Sequence, residues 1–380
     1  MLFWGLLARV LGMKVLLISS YPQEGGGISK YAHSLGDELA RFHVEMIHRR
    51  VCFFQGKLRN LWFGIFRTTW QAKPDVVHIQ YTPLVCGPLL PFFLFAMRLS
   101  SPGTKIVITA HEKPEIYLRY LKKWKLGWLF LLYEGFSYKV AHRIHVHTQE
   151  HREDLVARYH LANRKIEVIP HGIDEPHDVL PNRIQSLREK YGLQGRKVIL
   201  RFGYIRPFRG LEYLIAAFPQ VVREYADAVL MLAGATPASW AKYHRKLELL
   251  VTELDLSGKV EFSGYVPDEE IPALMGMAEM VVLPYMDITQ SGVLHREVIA
   301  YAKPVVSTNV GGIGEMVRSY QIGRVVPPAE AESLGEAITG LLSDPAEMEL
   351  YHDNALKARR ELSWHNIAQL HLKVYEDVCR

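Results

Sequence analysis

Three stretches place arginines, glycines, or a serine followed by a carboxylate where an apolar run gives way to a helix-forming one. In KVILRFGYIRPFRGLEYLIAAF, Arg206 and Arg209 bracket Pro207 just before a helix expected to open near Gly210. Two guanidinium groups in a strand-to-helix loop neutralise a diphosphate through bidentate hydrogen bonds, and the helix start adds its own attraction. Solvated surface arginines would read the same way, so the weight comes from the second stretch, PYMDITQSGVLHREVIAYAKPVV. There Ser291, Gly292 and Val293 fall in the first turn of a helix carrying Glu297. Backbone N–H groups at such a start hold phosphate, while a carboxylate about two turns further on accepts two hydrogen bonds from a ribose diol. One loop would then grip both ends of a nucleoside diphosphate. The third stretch, YPQEGGGISKY, sets Gly25, Gly26 and Gly27 between a strand over 13–19 and a helix beginning near Ile28, where glycine lets N–H groups approach an anion or a sugar. Its spacing is neither GxGxxG nor a Walker loop. A turn that merely joins strand to helix gives the same letters.

The elements that must position these loops are legible as short β-branched runs separated by helix-length segments. Strands are expected over 15–18, 76–79, 106–109 and 144–147, and again over 198–202, 229–232, 260–262, 280–283 and 305–307. That alternation implies an α/β fold with two parallel sheets, each covered by helices on both faces. Two Rossmann-like domains are therefore expected, 1–175 and 176–363, with the Gly/Pro-bearing stretch 171–182 as linker. A closing helix over 364–380, apolar at Trp364, Ile367, Leu370 and Val374, is assigned to the first domain. Ligands of open parallel sheets bind at the carboxyl ends of strands, so two facing sheets imply an interdomain cleft.

A length of 380 residues suits two domains, and 49% hydrophobic with 22% charged residues is the balance of a globular chain. Cys52, Cys86 and Cys379 form neither a disulfide framework nor a CxxC pair, which fits a reducing, cytoplasmic setting. The net charge of +5 conceals an asymmetry: residues 1–170 hold 23 Lys+Arg against 12 Asp+Glu, and the remainder 22 against 28. A basic half points to an anionic surface as partner, although solubility charge explains it too. The segment 119–133, RYLKKWKLGWLFLLY, mixes Lys122, Lys123 and Lys125 with Trp124, Trp128 and Phe130, as would a helix lying on an anionic membrane or an amphipathic helix packed on the sheet. The prefix MLFWGLLARVLG is too short to span a bilayer and reads equally as an interfacial anchor or a dispensable extension. The apolar stretch 84–99 contains Pro88, Pro91 and Arg98 and reads as a largely buried helix.

Taken in order along nearly the whole chain, the strings GGGISKY, DVVHIQYTP, VITAHE, VHTQEHREDL, VIPHGID, FGYIRPFRG, GYVPDEEIPALMGMAE, QSGVLHREVIAYAKPVVSTNVGGIGEMV and SWHNIAQLHLKVYEDV resemble the retaining GT-B glycosyltransferases of glycosyltransferase family 4. The resemblance implies that Arg206 and Arg209 bind the donor diphosphate and that Glu297 binds the ribose. It implies further that the backbone at Tyr265 and Val266 meets the base, and that Gly26 and Gly27 approach the phosphates from the other domain. His111, in TAHE, matches a histidine that lies beside the transferred sugar in such enzymes. The chain departs from the pattern twice. The first member of the family's Glu-x7-Glu pair is Thr289, with Thr289, Gln290 and Ser291 offering hydroxyl or amide contacts instead. The expected lysine before the diphosphate-loop glycine is Arg209.

No Asp-x-Asp, HExxH or paired CxxC occurs, so no metal ligand set is read and no metal or other cofactor is expected; arginines and helix starts must stabilise the leaving diphosphate. The resemblance implies a nucleotide-sugar donor and a glycan or lipid-linked acceptor; the basic, aromatic segment 119–133 and the basic first half point separately to a peripheral contact with an anionic membrane as a further partner. RNP, helix-turn-helix and zinc-finger signatures are lacking, which argues against nucleic acid. Two other classes stay open at this point: a GT-B-like module that binds nucleotide without turnover, and a nucleotide-sugar epimerase, which would need no acceptor.

Overall fold

Strands rich in Val, Ile and Leu pair in parallel throughout, and helices must then close both faces of each sheet. The computed structural model describes residues 12–19, 27–50, 58–82, 86, 89–114, 118, 127–288 and 290–380. The chain divides into two units, Met1–Gly172 with Leu362–Arg380, and Ile173–Glu361.

The first unit runs β1 (Lys14–Ser19), α1 (Gly27–Arg41), β2 (Glu45–Arg50), α2 (Leu58–Ala72), β3 (Val76–Tyr81), α3 (Leu90–Ser100), β4 (Lys105–Ala110), α4 (Gly127–Val140), β5 (Arg143–Val146), α5 (Gln149–Tyr159) and β6 (Ile166–Val168). Its sheet has the order β2-β1-β3-β4-β5-β6. Alternation along the strands sends Leu16, Ile18, Val77, Ile79, Ile106 and Ile108 to a core shared with α3, α4 and α5. The opposite face sends Val15, Val76 and Val107 to a second core with Tyr31, Leu35 and Leu39 of α1.

The second unit contains α6 (Pro181–Lys190), β7 (Lys197–Phe202), α7 (Leu211–Glu224), β8 (Ala228–Ala233), α8 (Ala241–Glu253), β9 (Val260–Gly264), α9 (Ile271–Met277), β10 (Ala278–Leu283), a π-helix (Leu294–Ile299), β11 (Val305–Thr308), α10 (Gly311–Tyr320), β12 (Gly323–Val326), α11 (Ala331–Leu342) and α12 (Pro345–Glu361). Its sheet order, β12-β11-β10-β7-β8-β9, reverses direction between β7 and β10. The carboxyl ends of those two strands are the topological switch point, where open α/β sheets bind ligands.

Helix α13 (Trp364–Cys379) returns to the first unit, capped by Ser363, whose side chain accepts from Asn366 N. It seals the second core with Ala368, Leu372 and Tyr375, each buried large side chain contributing about 1.5–3 kcal/mol. The inward face differs from the one expected from spacing. Leu370 is exposed, and His371 and Tyr375 are buried in its place. The helix over 84–99 is also corrected: α3 begins at Leu90, and Phe92, Phe95 and Leu99 face outward, while 84–85 and 87–88 lie outside the described residues. Of the segment 119–133, residues 119–126 lie outside the described residues and the rest enters α4. Residues 1–11 of the prefix and Cys52 also fall outside them. No helix among the described residues is long and apolar enough to cross a membrane.

Candidate active site

In the second unit the loops after β7 and β10 are built against one another. Met286 N donates to Phe208 O at 3.0 Å, tying them through the backbone. Gly210, with φ +67°, begins α7 so close to β10 that an added Cβ would stand 1.7 Å from Pro284 O, which only glycine permits. Phe208 is held at φ +67° between the two arginines of the loop, a conformation costly for a bulky side chain. Outliers of this kind accumulate where a loop must present particular groups.

The groups presented are cationic. The Arg209 guanidinium lies 4.7 Å from the centre of the Tyr285 ring, a cation–π contact that fixes its plane. Arg206 is exposed beside it. Burial pushes the Arg209 pKa down, the Tyr285 phenol opposes this, and Arg206 lowers it further. A third guanidinium was not anticipated: Arg201, inside β7 and 1% exposed, donates from Nη1 to Gly203 O. Burial lowers its pKa to about 10, and both Arg209 and Arg206 act on it in the same direction. None of the three pairs with a described carboxylate. Three mutually repelling cations at a switch point are stable only in company with water or an anion, and a diphosphate supplies that anion.

The next loop completes the arrangement. Ser291, buried, accepts from Leu294 N at 3.2 Å, so it caps the helix it opens, and its Oγ lies 3.3 Å from Tyr285 Oη. Tyr285 thus joins the arginine loop to the helix start. Gly292 and Val293 form the first turn, and the Val293 side chain lies against Gly203. Glu297, 5% exposed, follows with Oε1 3.9 Å from Arg296 Nη2. The expected α-helix is here a π-helix over Leu294–Ile299; such widened turns cluster at functional sites. Gln290 is half-buried, and Thr289 lies outside the described residues. Tyr265 is exposed and Val266 buried just beyond β9, two strands away from β7 along the same edge.

In the first unit Gly27 opens α1, while Gly25 and Gly26 lie outside the described residues. Four residues on from Gly27, Tyr31 meets His111 edge-on with ring centroids 5.0 Å apart. His111 follows β4 and is 7% exposed. Two partners that sequence reasoning missed hold its ring. His147 Nδ1 lies 2.9 Å from Ile169 O, a pure acceptor, so that nitrogen carries the proton and Nε2 presents a lone pair. His111 Nδ1, 3.1 Å from this lone pair, must therefore donate. Burial keeps the His111 pKa well below its ordinary value, with neighbouring histidines adding to the shift, so its Nε2 is left as an acceptor. Gln80 places Oε1 2.7 Å from His111 Nε2 and Nε2 3.3 Å from His78 Nε2; with the amide O and N exchanged, its NH2 donates to His111 and its carbonyl accepts from His78, which satisfies both rings. A ring with both nitrogens so engaged is a fixed surface rather than a proton shuttle. The signal available in sequence was alternation: His78 and Gln80 on β3, Thr109 and His111 around β4, and His145 and His147 around β5 share a face.

Replacing Gln80 by Leu should leave a buried imidazole acceptor without its donor, costing about 1–3 kcal/mol. A thermal midpoint lower by a few degrees is expected together with a roughly tenfold lower turnover. An unchanged melting curve and unchanged rate would remove Gln80 from this role.

The described residues offer one cluster with metal-ligand chemistry. His78, His145 and His371 bring nitrogens within 4.8 Å of one another in the core of the first unit. Both His78 nitrogens are already engaged, Nδ1 with Tyr375 Oη at 2.5 Å and Nε2 with Thr109 Oγ1 at 2.7 Å. No carboxylate or thiolate joins the cluster to balance a buried divalent charge. We read it as a polar seam between β3, β5 and α13.

Comparison with known proteins agrees with this architecture. The family described as "Glycosyltransferase Family 4" matches residues 25–176, and that described as "Glycosyl transferases group 1" matches 183–360. The alpha-D-kanosaminyltransferase of Streptomyces kanamyceticus is 32% identical over 173 residues, 46% of this chain and 43% of that protein. The chain therefore spans under half the length of that relative. A GDP-mannose-dependent alpha-(1-6)-phosphatidylinositol monomannoside mannosyltransferase of Mycobacterium tuberculosis is 27% identical over 365 residues, 87% of this chain and 89% of that protein. Among solved structures, Anabaena HepE in complex with UDP superposes with a TM-score of 0.74 at 18% identity, covering 97% of this chain and all of that one, which establishes the shared fold. The two family matches follow one another along the chain and leave only its ends and a short join uncovered. The chain thus belongs to the GT-B-fold group 1 glycosyl transferases of glycosyltransferase family 4.

Proposed function

We propose that the protein transfers a hexose from a UDP- or GDP-sugar to a hydroxyl of a glycan, lipid-linked or small-molecule acceptor, with retention of anomeric configuration and without a divalent metal. The observation that carries this reading is the convergence of Arg201, Arg206 and Arg209 with the Ser291 helix start at the β7/β10 switch point. The relatives support the donor class: one is named for GDP-mannose and one solved homologue holds UDP. With no Asp-x-Asp in the sequence, charge on the departing diphosphate falls to Arg206, Arg209 and the N–H groups near Gly292 and Val293. Glu297 would hold the ribose, the backbone at Tyr265 and Val266 the base, and Gln290 the region near the sugar.

In this mechanism the bond from the sugar C1 to the phosphate oxygen breaks as the arginines take up the developing charge. The acceptor oxygen bonds to C1 on the same face, and its proton passes to the departing phosphate oxygen. His111, neutral and clamped by Gln80 and His147, orients the sugar and forms no covalent bond to it. The test is a screen of UDP- and GDP-sugars with no divalent ion added, reading hydrolysis as well as transfer. Slow hydrolysis of one donor class is expected even without an acceptor. A strict Mn²⁺ requirement would contradict the metal-free mechanism. A sugar epimerised without an acceptor would replace transfer by isomerisation, and nucleotide binding with no product would leave an inert binder.

A further inference from the structure

Helix α4 is built inside out. Its buried residues include Glu134, Gly135 and Ser137, whereas Trp128, Leu129, Leu132 and Phe136 are between 45% and 63% exposed. Glu134 is fully buried, accepting from Tyr138 and Tyr159, so the inward face is a satisfied polar contact. The outward face resembles the inward stripe of an ordinary helix. Neighbouring α3 behaves alike: Leu94 and Met97 face the core, yet Phe92 is 70% and Leu99 68% exposed. The two outward faces meet, with the Phe95 and Phe136 rings 6.2 Å apart. On α2, Phe63 and Trp70 extend the surface, Phe63 lying 6.1 Å from Phe93 of α3. Each large apolar side chain left in water forgoes up to about 1.5–3 kcal/mol, and patches of this size mark contact with another apolar phase.

Charge around the face narrows what that phase is. Arg67 shares the outward side of α2 with Phe63 and Trp70, four and three residues away. At the far end, Arg98 donates to Val140 O at 2.7 Å and Lys165 to Lys139 O at 2.7 Å, which draws the ends of α3 and α4 into one cationic cluster. The charged groups acting on His142, just beyond α4, are Arg98, Lys105, Lys165 and Arg143, all cations. An apolar aromatic surface rimmed by one sign of charge suits the acyl-headgroup boundary of an anionic bilayer, where each cation near the surface adds about 1 kcal/mol. A second copy of the chain would bring a like-charged rim against this one.

We propose that the outward faces of α2, α3 and α4 form a docking surface for an anionic lipid bilayer, with Trp128, Leu132, Phe92 and Phe95 entering the interface and Arg67, Arg98 and Lys139 meeting the headgroups. The surface stands independently of the transfer reading, since a protein inactive on every nucleotide sugar would still dock.

Flotation of the full chain with vesicles tests it. Partitioning is expected onto phosphatidylcholine containing phosphatidylglycerol and to be at least tenfold weaker onto phosphatidylcholine alone. Phe92→Ser with Leu132→Ser should lower partitioning onto the anionic vesicles by tenfold or more. Arg67→Glu with Lys139→Glu should lower it severalfold and abolish the preference for anionic lipid. All four positions are exposed, so circular dichroism and thermal midpoints should match the wild type. Equal partitioning of wild type and the serine variant, or no vesicle binding at all, overturns the proposal. So does a wild-type dimer that the serine substitutions convert to monomer while lipid binding is absent, because the face would then belong to a second copy.

Discussion

Replacing Arg209 by Ala is expected to cut kcat/KM for the preferred nucleotide sugar by about a thousandfold, while the protein without ligand melts no lower than before. Both halves follow from the same geometry. The guanidinium sits half-buried over the Tyr285 ring, next to Arg206 and Arg201, in a loop whose backbone is fixed by Gly210 and by the Phe208–Met286 hydrogen bond. A charge-assisted hydrogen bond contributes about 1.5–3 kcal/mol, and a fork that makes two as the diphosphate departs accounts for about 4 kcal/mol of barrier. That is nearly three orders of magnitude in rate. In the absence of ligand, removing one of three like charges relieves repulsion, so a stability loss is not expected. Arg206→Ala should cost less, roughly tenfold, because an exposed guanidinium competes with water for the same oxygens. Arg209→Lys should fall between, since an ammonium keeps the charge and loses both the fork and the flat contact with Tyr285. Steady-state kinetics and thermal shift with UDP and GDP check all three, and the nucleotide-induced shift should shrink in the same order. Wild-type kinetics in Arg209→Ala would place the diphosphate elsewhere.

What the sequence disclosed, and what it hid, divides along a physical line. Interior strands announce themselves because both faces are buried: in β3 and β8 every residue is, and both were legible as apolar runs. Strands β2, β6 and β12 were not expected. All three lie at sheet edges, where one side lacks a neighbour and EMIHRR, IEV and GRVV need no apolar run. The arginine loop and the Ser291 turn were readable because both rest on local order, a strand end followed directly by a helix start. Arg201 was hidden by its apolar surroundings, although an arginine inside KVILRF was itself the clue. Gln80 and His147 could not be attached to His111 from spacing alone, since the three sit on or just beyond different strands and meet only through sheet register. The π-helix was equally out of reach: residues 294–299 read as helix in any register, and the wider turn follows from how the segment packs.

The other large effect concerns acid. His78, His111, His145, His151 and His371 are buried in the first unit, and burial lowers the pKa of each: to about 3 for His78, about 4 for His151, and well below the ordinary value for the rest. The unfolded chain takes up protons on these rings below about pH 6.5 while the folded unit does not, so folding stability is fully present above that pH and declines as pH falls. A ring whose folded pKa stays below about 5 contributes a slope approaching about 1.4 kcal/mol per pH unit, so His78 and His151 together cost about 3 kcal/mol by pH 5.5, and His111, His145 and His371 act in the same direction. That is a large share of the stability of an ordinary domain, so the first unit is expected to lose stability steeply as pH falls from about 6.5 toward 5. Amide exchange in peptides covering β3, β4 and β5 should follow this loss, with log K of unfolding rising by about two or more per unit fall in pH. His145→Phe keeps a ring against His371, whose centroid lies 4.6 Å away, and removes two nitrogens that have no hydrogen-bond partner among the described residues. It should reduce that slope by about one proton and move the acid midpoint downward. A stability that stays level from pH 7 to pH 5 would mean that these imidazoles are hydrated and already titrating in the folded protein, and the dry histidine seam between β3, β5 and α13 would have to be abandoned with it.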